Sequence, residues 1–146
     1  MSSAMNSGAQ PSPLRLMIGA FTAFVAMQVA ATLIALSYPR FLPPEFAAFV
    51  RTKQEGLHMP SLLGGYFVVT LALVFFYTRV RPTSRAGAAL LGYILYLAVF
   101  LGGHMVTAGW SKVPSWPMAW TGFFDALIGP LGGLVLDLVC RGRRSR

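Results

Sequence analysis

From Leu16 to Pro39 the chain runs 24 residues without a charged side chain. A helix needs about 20 predominantly apolar residues to cross the hydrocarbon core of a bilayer. Three further long apolar runs follow, and few folds accommodate four of them. A transmembrane barrel uses alternating segments of about ten residues; these runs are longer and continuously apolar. Composition agrees: 55% of the 146 residues are hydrophobic and 11% charged, where a soluble domain carries about 25% charged residues. Mean hydropathy is +0.63. The same numbers exclude intrinsic disorder, which demands the opposite balance. The single cysteine excludes an internal disulfide framework and a cysteine-rich metal cluster. The expected fold class is all-α, a single integral membrane bundle of four transmembrane helices.

Residues 1–13, rich in Ser, Ala, Gly and Pro, read as a flexible tail. The first span is expected over 14–38. Arg15 ahead of an apolar run, with Ala35-Leu36-Ser37 behind it, imitates a signal peptide, but the run far exceeds a 7–15-residue signal core. Four prolines then break the segment from Pro39 to Pro60. Within it, Glu45 to Glu55 reads as a short amphipathic helix lying on the membrane surface, with Phe46, Phe49 and Val50 on one side and Arg51 and Lys53 turned away. Further spans are expected over 61–78, 86–108 and 118–139, with a basic tail over 140–146. The link around Pro82 is short, so the second and third spans are antiparallel neighbours.

The net charge of +8 does not point to nucleic acid, because the basic residues sit between apolar runs and form no stripe on a folded face. Arg15, Arg79, Arg81, Arg85, Arg141, Arg143, Arg144 and Arg146 fall on the side of both termini. Arg40, Arg51, Lys53 and Lys112 fall on the other. The positive-inside rule then puts both termini in the cytoplasm. Trp110, Trp116 and Trp120 gather at the outer interface, where indoles prefer to sit. Arg79, Arg81, Arg85, Arg141, Arg143 and Arg144 are expected to meet anionic lipid head groups.

Ionisable groups within a bilayer are costly and mark function by default. His104 late in the third span and Asp125 early in the fourth lie at matching depth. Their pairing has two readings: an interhelical hydrogen bond that only holds helices together, or the smallest unit of a proton relay or ligand site. In the second, Gln28 and Tyr93 help line a cavity. Asp137 reads as half of an interfacial i, i+4 pair with Arg141. His58 shares the outer side with His104, but no spacing motif fixes a metal or haem site, and no metal or cofactor is favoured.

Gly122, Gly129 and Gly133 lie near one line on the fourth span, and Gly92, Tyr96 and Gly103 form a matching face on the third. Both read as close-packing surfaces. Gln28, Ala31, Thr32 and Ala35 make a small polar side on the first span. Pro130 is expected to kink the fourth. No phosphate loop, HExxH, CxxC or GxSxG motif occurs. Cys140 reads as an inert interfacial thiol.

The stretch from Leu63 to Val139, with a glycine-rich third span ending in Gly109-Trp110, a short Trp-containing loop and a fourth span opening on Asp125, resembles small four-helix bacterial membrane proteins grouped only as domains of unknown function. That resemblance implies a multi-pass protein of the bacterial inner membrane and supplies no activity. The expected function is that of a non-catalytic accessory or structural subunit packing against other membrane proteins or further copies of itself. The alternatives are a small oligomeric transporter or ligand-binding bundle using His104 and Asp125, and a membrane enzyme or redox protein using His104.

Overall fold

The computed structural model describes residues 11–37, 40, 44, 56 and 58–141. Among these the chain is helical, with four helices long and apolar enough to cross a membrane: Pro13–Ser37, Met59–Val80, Arg85–Trp110 and Ser115–Arg141. The first two are α1 and α2. The third span divides into α3 (Arg85–Tyr96), a π turn (Leu97–Leu101) and α4 (Gly102–Trp110), and the fourth into α5 (Ser115–Ala126) and α6 (Ile128–Arg141). The expected surface helix from Glu45 to Glu55 lies outside the described residues.

Each helix buries a narrow stripe. On α1 it is Gly19, Ala23, Met27 and Ala31, four residues apart. The expected small polar side of α1 shares only Ala31 with it. On α2 the stripe is Tyr66, Val69, Thr70, Leu73 and Tyr77. The remaining surface carries large apolar side chains, among them Phe21, Phe67, Phe75, Val106 and Leu138. This is the composition a lipid-facing bundle requires, because lipid is as apolar as leucine.

The fourth span is the most buried of the four. Its inner half, α6, packs chiefly against α3 and α1, while α5 packs against the π turn and α4. Glycines make these contacts possible. A Cβ at Gly92 would run into the backbone carbonyl of Gly129, and one at Gly133 into that of Ala88. A Cβ at Gly122 would sit 2.8 Å from the Leu101 Cα. Four of the five glycines expected at packing faces are therefore in backbone-to-backbone contact.

Gly103 is the exception. It is exposed, with nothing within 4 Å of where its Cβ would stand. The π turn inserts an extra residue between Gly92 and Gly103, and that rotates everything beyond it by roughly 100° relative to a continuous α-helix. The face that begins at Gly92 accordingly continues through Tyr96 and Phe100 to His104.

The fourth span breaks at Leu127, three residues ahead of Pro130. Pro130 has no N–H to give the Ala126 carbonyl, and its ring crowds that carbonyl; the Leu127 N–H turns to the Phe124 carbonyl at 3.1 Å. The turn between α2 and α3 is closed at both ends. Arg81 adopts a left-handed conformation (φ 51°) with its N–H on the Tyr77 carbonyl, and Ser84 caps α3 by accepting the Gly87 N–H at 3.0 Å.

One end of the bundle gathers the start of α1, the α2–α3 turn and the end of α6. The Cys140 thiol lies 4.0 Å from the Arg15 carbonyl oxygen, and Arg141 reaches the turn. Arg15, Arg79, Arg81, Arg85 and Arg141 all belong to this end. The opposite end carries Trp110 and Trp116, both largely exposed.

Candidate functional sites within the bundle

Two polar clusters occupy the interior, one toward each end. At the tryptophan end, the first turns of α5 place Thr121 against α4. The Thr121 hydroxyl donates to the Pro117 carbonyl of its own helix, and it stands 3.2 Å from His104 Nδ1. The Met118 carbonyl lies 3.2 Å from the same nitrogen. Nδ1 donates to these oxygens, because a carbonyl only accepts. Thr121, one turn ahead of Asp125 on the same face of α5, and the Met118 carbonyl stand against Nδ1.

His104 also closes an aromatic row. Its ring meets Phe100 edge-on at 6.3 Å, Phe100 lies 5.3 Å from Tyr96, and Tyr66 lies 5.4 Å from Phe100. Asp125 stands within electrostatic reach of Tyr66. Thr70, a turn along α2, bonds the Tyr66 carbonyl at 2.7 Å. The Tyr96 hydroxyl points to the Met27 sulfur at 2.8 Å.

The Gln28 amide nitrogen donates to the Leu62 carbonyl at 3.4 Å, across the α1–α2 contact. Gln28 lines an open cleft of about 260 Å³ with Val29, Thr32, Leu33, Met59 and Leu63. A second cleft of about 230 Å³, between α2 and the π turn, is floored by Tyr66 and Phe100. Tyr93 packs half-buried on the edge of the core. His58 bonds Ser61 at 2.7 Å, and no group of three potential metal ligands forms among the described residues.

The second cluster, at the arginine end, is centred on Asp137. Its carboxylate is 1% exposed and takes the Tyr77 hydroxyl at 2.8 Å and Arg141 Nε at 2.5 Å, both on Oδ1. Arg141 uses the rest of its guanidinium on the α2–α3 turn, donating Nη1 to the Thr83 carbonyl at 2.8 Å and Nη2 to that of Pro82. Asp137 Oδ2 is buried with no hydrogen-bond partner among the described residues.

The i, i+4 spacing of Asp137 and Arg141 predicts their ion pair. The pair lies at the end of the fourth span, against the α2–α3 turn, and its carboxylate is among the most buried groups in the protein. Arg141 is likewise turned inward, its donors engaged by Asp137 and the turn, whereas Arg79, Arg81 and Arg85 are exposed. Sequence reasoning passed over Tyr77 and Thr121. The signal for Tyr77 was present: Tyr66, Thr70 and Tyr77 recur at i, i+4 and i+11, one face of α2. No family model, curated protein or solved structure matches this chain.

Proposed function

We propose that the protein is a non-catalytic, multi-pass subunit of the bacterial cytoplasmic membrane, built to pack against other membrane helices. The observation that carries this reading is a contrast among glycines. Those facing the interior are in contact with neighbouring backbone. Gly64 and Gly65 on α2 and Gly102, Gly103 and Gly109 on α4 are exposed, and an added Cβ would meet nothing within 4 Å. Glycine weakens a helix by about 0.5–1 kcal/mol relative to alanine and gains nothing against lipid. Outward small residues do allow another transmembrane helix to approach closely. They cluster toward the tryptophan end, where the flanks of α2 are open.

Purification in mild detergent and in native nanodiscs tests the reading. A defined complex, with a partner or with further copies, is expected. A lone monomer under every condition would overturn it.

The arginine end faces the cytoplasm in this proposal, by the positive-inside rule, with Arg79, Arg81 and Arg85 free to meet anionic head groups. With Cys140→Ser as background, a cysteine at Ser84 should react only from the cytoplasmic side and one at Ser111 only from outside. Labelling of the Ser84 site from outside would reverse the orientation.

A further inference from the structure

The third and fourth spans are both interrupted, and at the same level. In the third the interruption is the π turn Leu97–Leu101; in the fourth it is the break at Leu127 ahead of Pro130. Gly122 stands against Leu101, and Gly129 against Gly92 and Tyr96. By that register Leu127 lies opposite the start of the π turn. A π turn and a proline are two of the few features that bend a helix sharply, by more than about 20°. Here they lie side by side across one hairpin.

The parts on either side of that line are held differently. Toward the arginine end, α3 and α6 meet backbone to backbone at Gly92, Gly129 and Gly133, α1 packs on α6, and Arg141 ties α6 to the α2–α3 turn. There α6 buries seven of its 14 residues. Toward the tryptophan end, α4 buries one residue of nine, Ala108, and the π turn buries none. Among the described residues α4 packs chiefly on α5 and the π turn, and neither α4 nor α5 lies broadly against α1 or α2. The two helices are instead fastened to each other. His104 Nδ1 on α4 donates to the Met118 carbonyl of α5, with the Thr121 hydroxyl at the same nitrogen. Ser111 braces the short link, its N–H on the Thr107 carbonyl and its hydroxyl taking the Val113 N–H. Elements with few buried contacts to their surroundings are the ones that open at low free-energy cost.

We propose that α4 and α5 swing as one body about a hinge formed by the π turn and Leu127, and that His104 keeps the two helices together as they move. Gly122, seated on Leu101, is the pivot. The swing sets the width of the cleft of about 230 Å³ in which Ser61 and Tyr66 of α2 face Val99 and Phe100 of the π turn. The arginine end stays closed throughout. With about 18 Å of α5 between hinge and tip, a swing of about 20° carries the Ser111 link through about 6 Å. The inference goes beyond the packing role proposed above and does not depend on it, since it stands on the two interruptions and not on the outward glycines.

The test is electron–electron double resonance between spin labels on cysteine pairs in nanodiscs, with Cys140→Ser as background. Ser111→Cys with Ser61→Cys reads the hairpin tip against α2, and two populations about 6 Å apart are expected. Leu14→Cys with Ser61→Cys joins two helices outside the hairpin and should give one population. Val106→Cys with Trp116→Cys, within the hairpin, should also give one, and His104→Ala should broaden it. A single population for the tip pair, or two for either of the other pairs while His104 is present, would overturn the proposal. A Val106–Trp116 peak left sharp by His104→Ala would remove the role given to His104. Pro130→Ala returns a donor to the Ala126 carbonyl and should shift the tip pair toward one population; unchanged proportions would contradict a hinge at Leu127.

Discussion

At the arginine end, Gly92, Gly129 and Gly133 bring helix backbones into contact, and the Asp137 carboxylate ties α2, α6 and the α2–α3 turn into one polar knot. At the tryptophan end Gly122 still brings α5 against the π turn, but the outward glycines meet no neighbour. Two clefts flank the start of α2, a Cβ added at Gly64 or Gly65 would meet nothing within 4 Å, and His104 bonds to the fourth span through the Met118 carbonyl. A bilayer provides no hydrophobic drive between helices, so close packing and hydrogen bonds decide what stays together. The comparison teaches that glycine placement, more than overall apolarity, sets where the helices come closest.

Substitution of matched glycines breaks the comparison most sharply. Gly92→Ala should destabilise by about 3 kcal/mol, the upper part of the overpacking range, because its Cβ meets backbone that has no rotamer to yield. Gly103→Ala should stabilise by about 0.5 kcal/mol through helix propensity alone. Reversible unfolding in mixed micelles measures both, and equal effects would erase the distinction between the halves.

Tyr77→Phe removes one of two donors to Asp137 and should cost about 1 kcal/mol, as a hydrogen bond of this kind contributes. Thr121→Val at the other end should cost about 0.6 kcal/mol, the average for interhelical hydrogen bonds in a membrane bundle. A larger loss for Thr121→Val than for Tyr77→Phe would invert the expected order, and the same unfolding experiment decides it.

The fold was legible because hydrophobic length needs no tertiary information. The glycine faces were legible too, as far as a continuous helix carries them. Gly92, Gly129 and Gly133 could be placed by spacing, but Gly103 could not, because the π turn at Leu97–Leu101 leaves no mark in the run LAVFL that periodicity would catch. His104 is half-buried between α4 and α5. Its choice of Thr121 depends on a rotation of α4 that the same turn imposes. Asp137 was undervalued for a related reason: sequence shows its neighbour on its own helix but not the turn of another hairpin folded over it. The spacing predicts the pair with Arg141, and the α2–α3 turn enters through the Pro82 and Thr83 carbonyls that Arg141 reaches.

The central claim is that the Asp137 knot holds the arginine end together as a buried ion pair. Arg141→Ala alone strands the carboxylate and should destabilise the bundle by about 3–5 kcal/mol. Adding Asp137→Asn removes the stranded charge and should recover about 1–3 kcal/mol, the desolvation penalty of an unsatisfied buried group. Unfolding of the single and double variants at neutral pH measures this directly. A double variant more stable than Arg141→Ala is the predicted result; one equally or less stable would contradict the account.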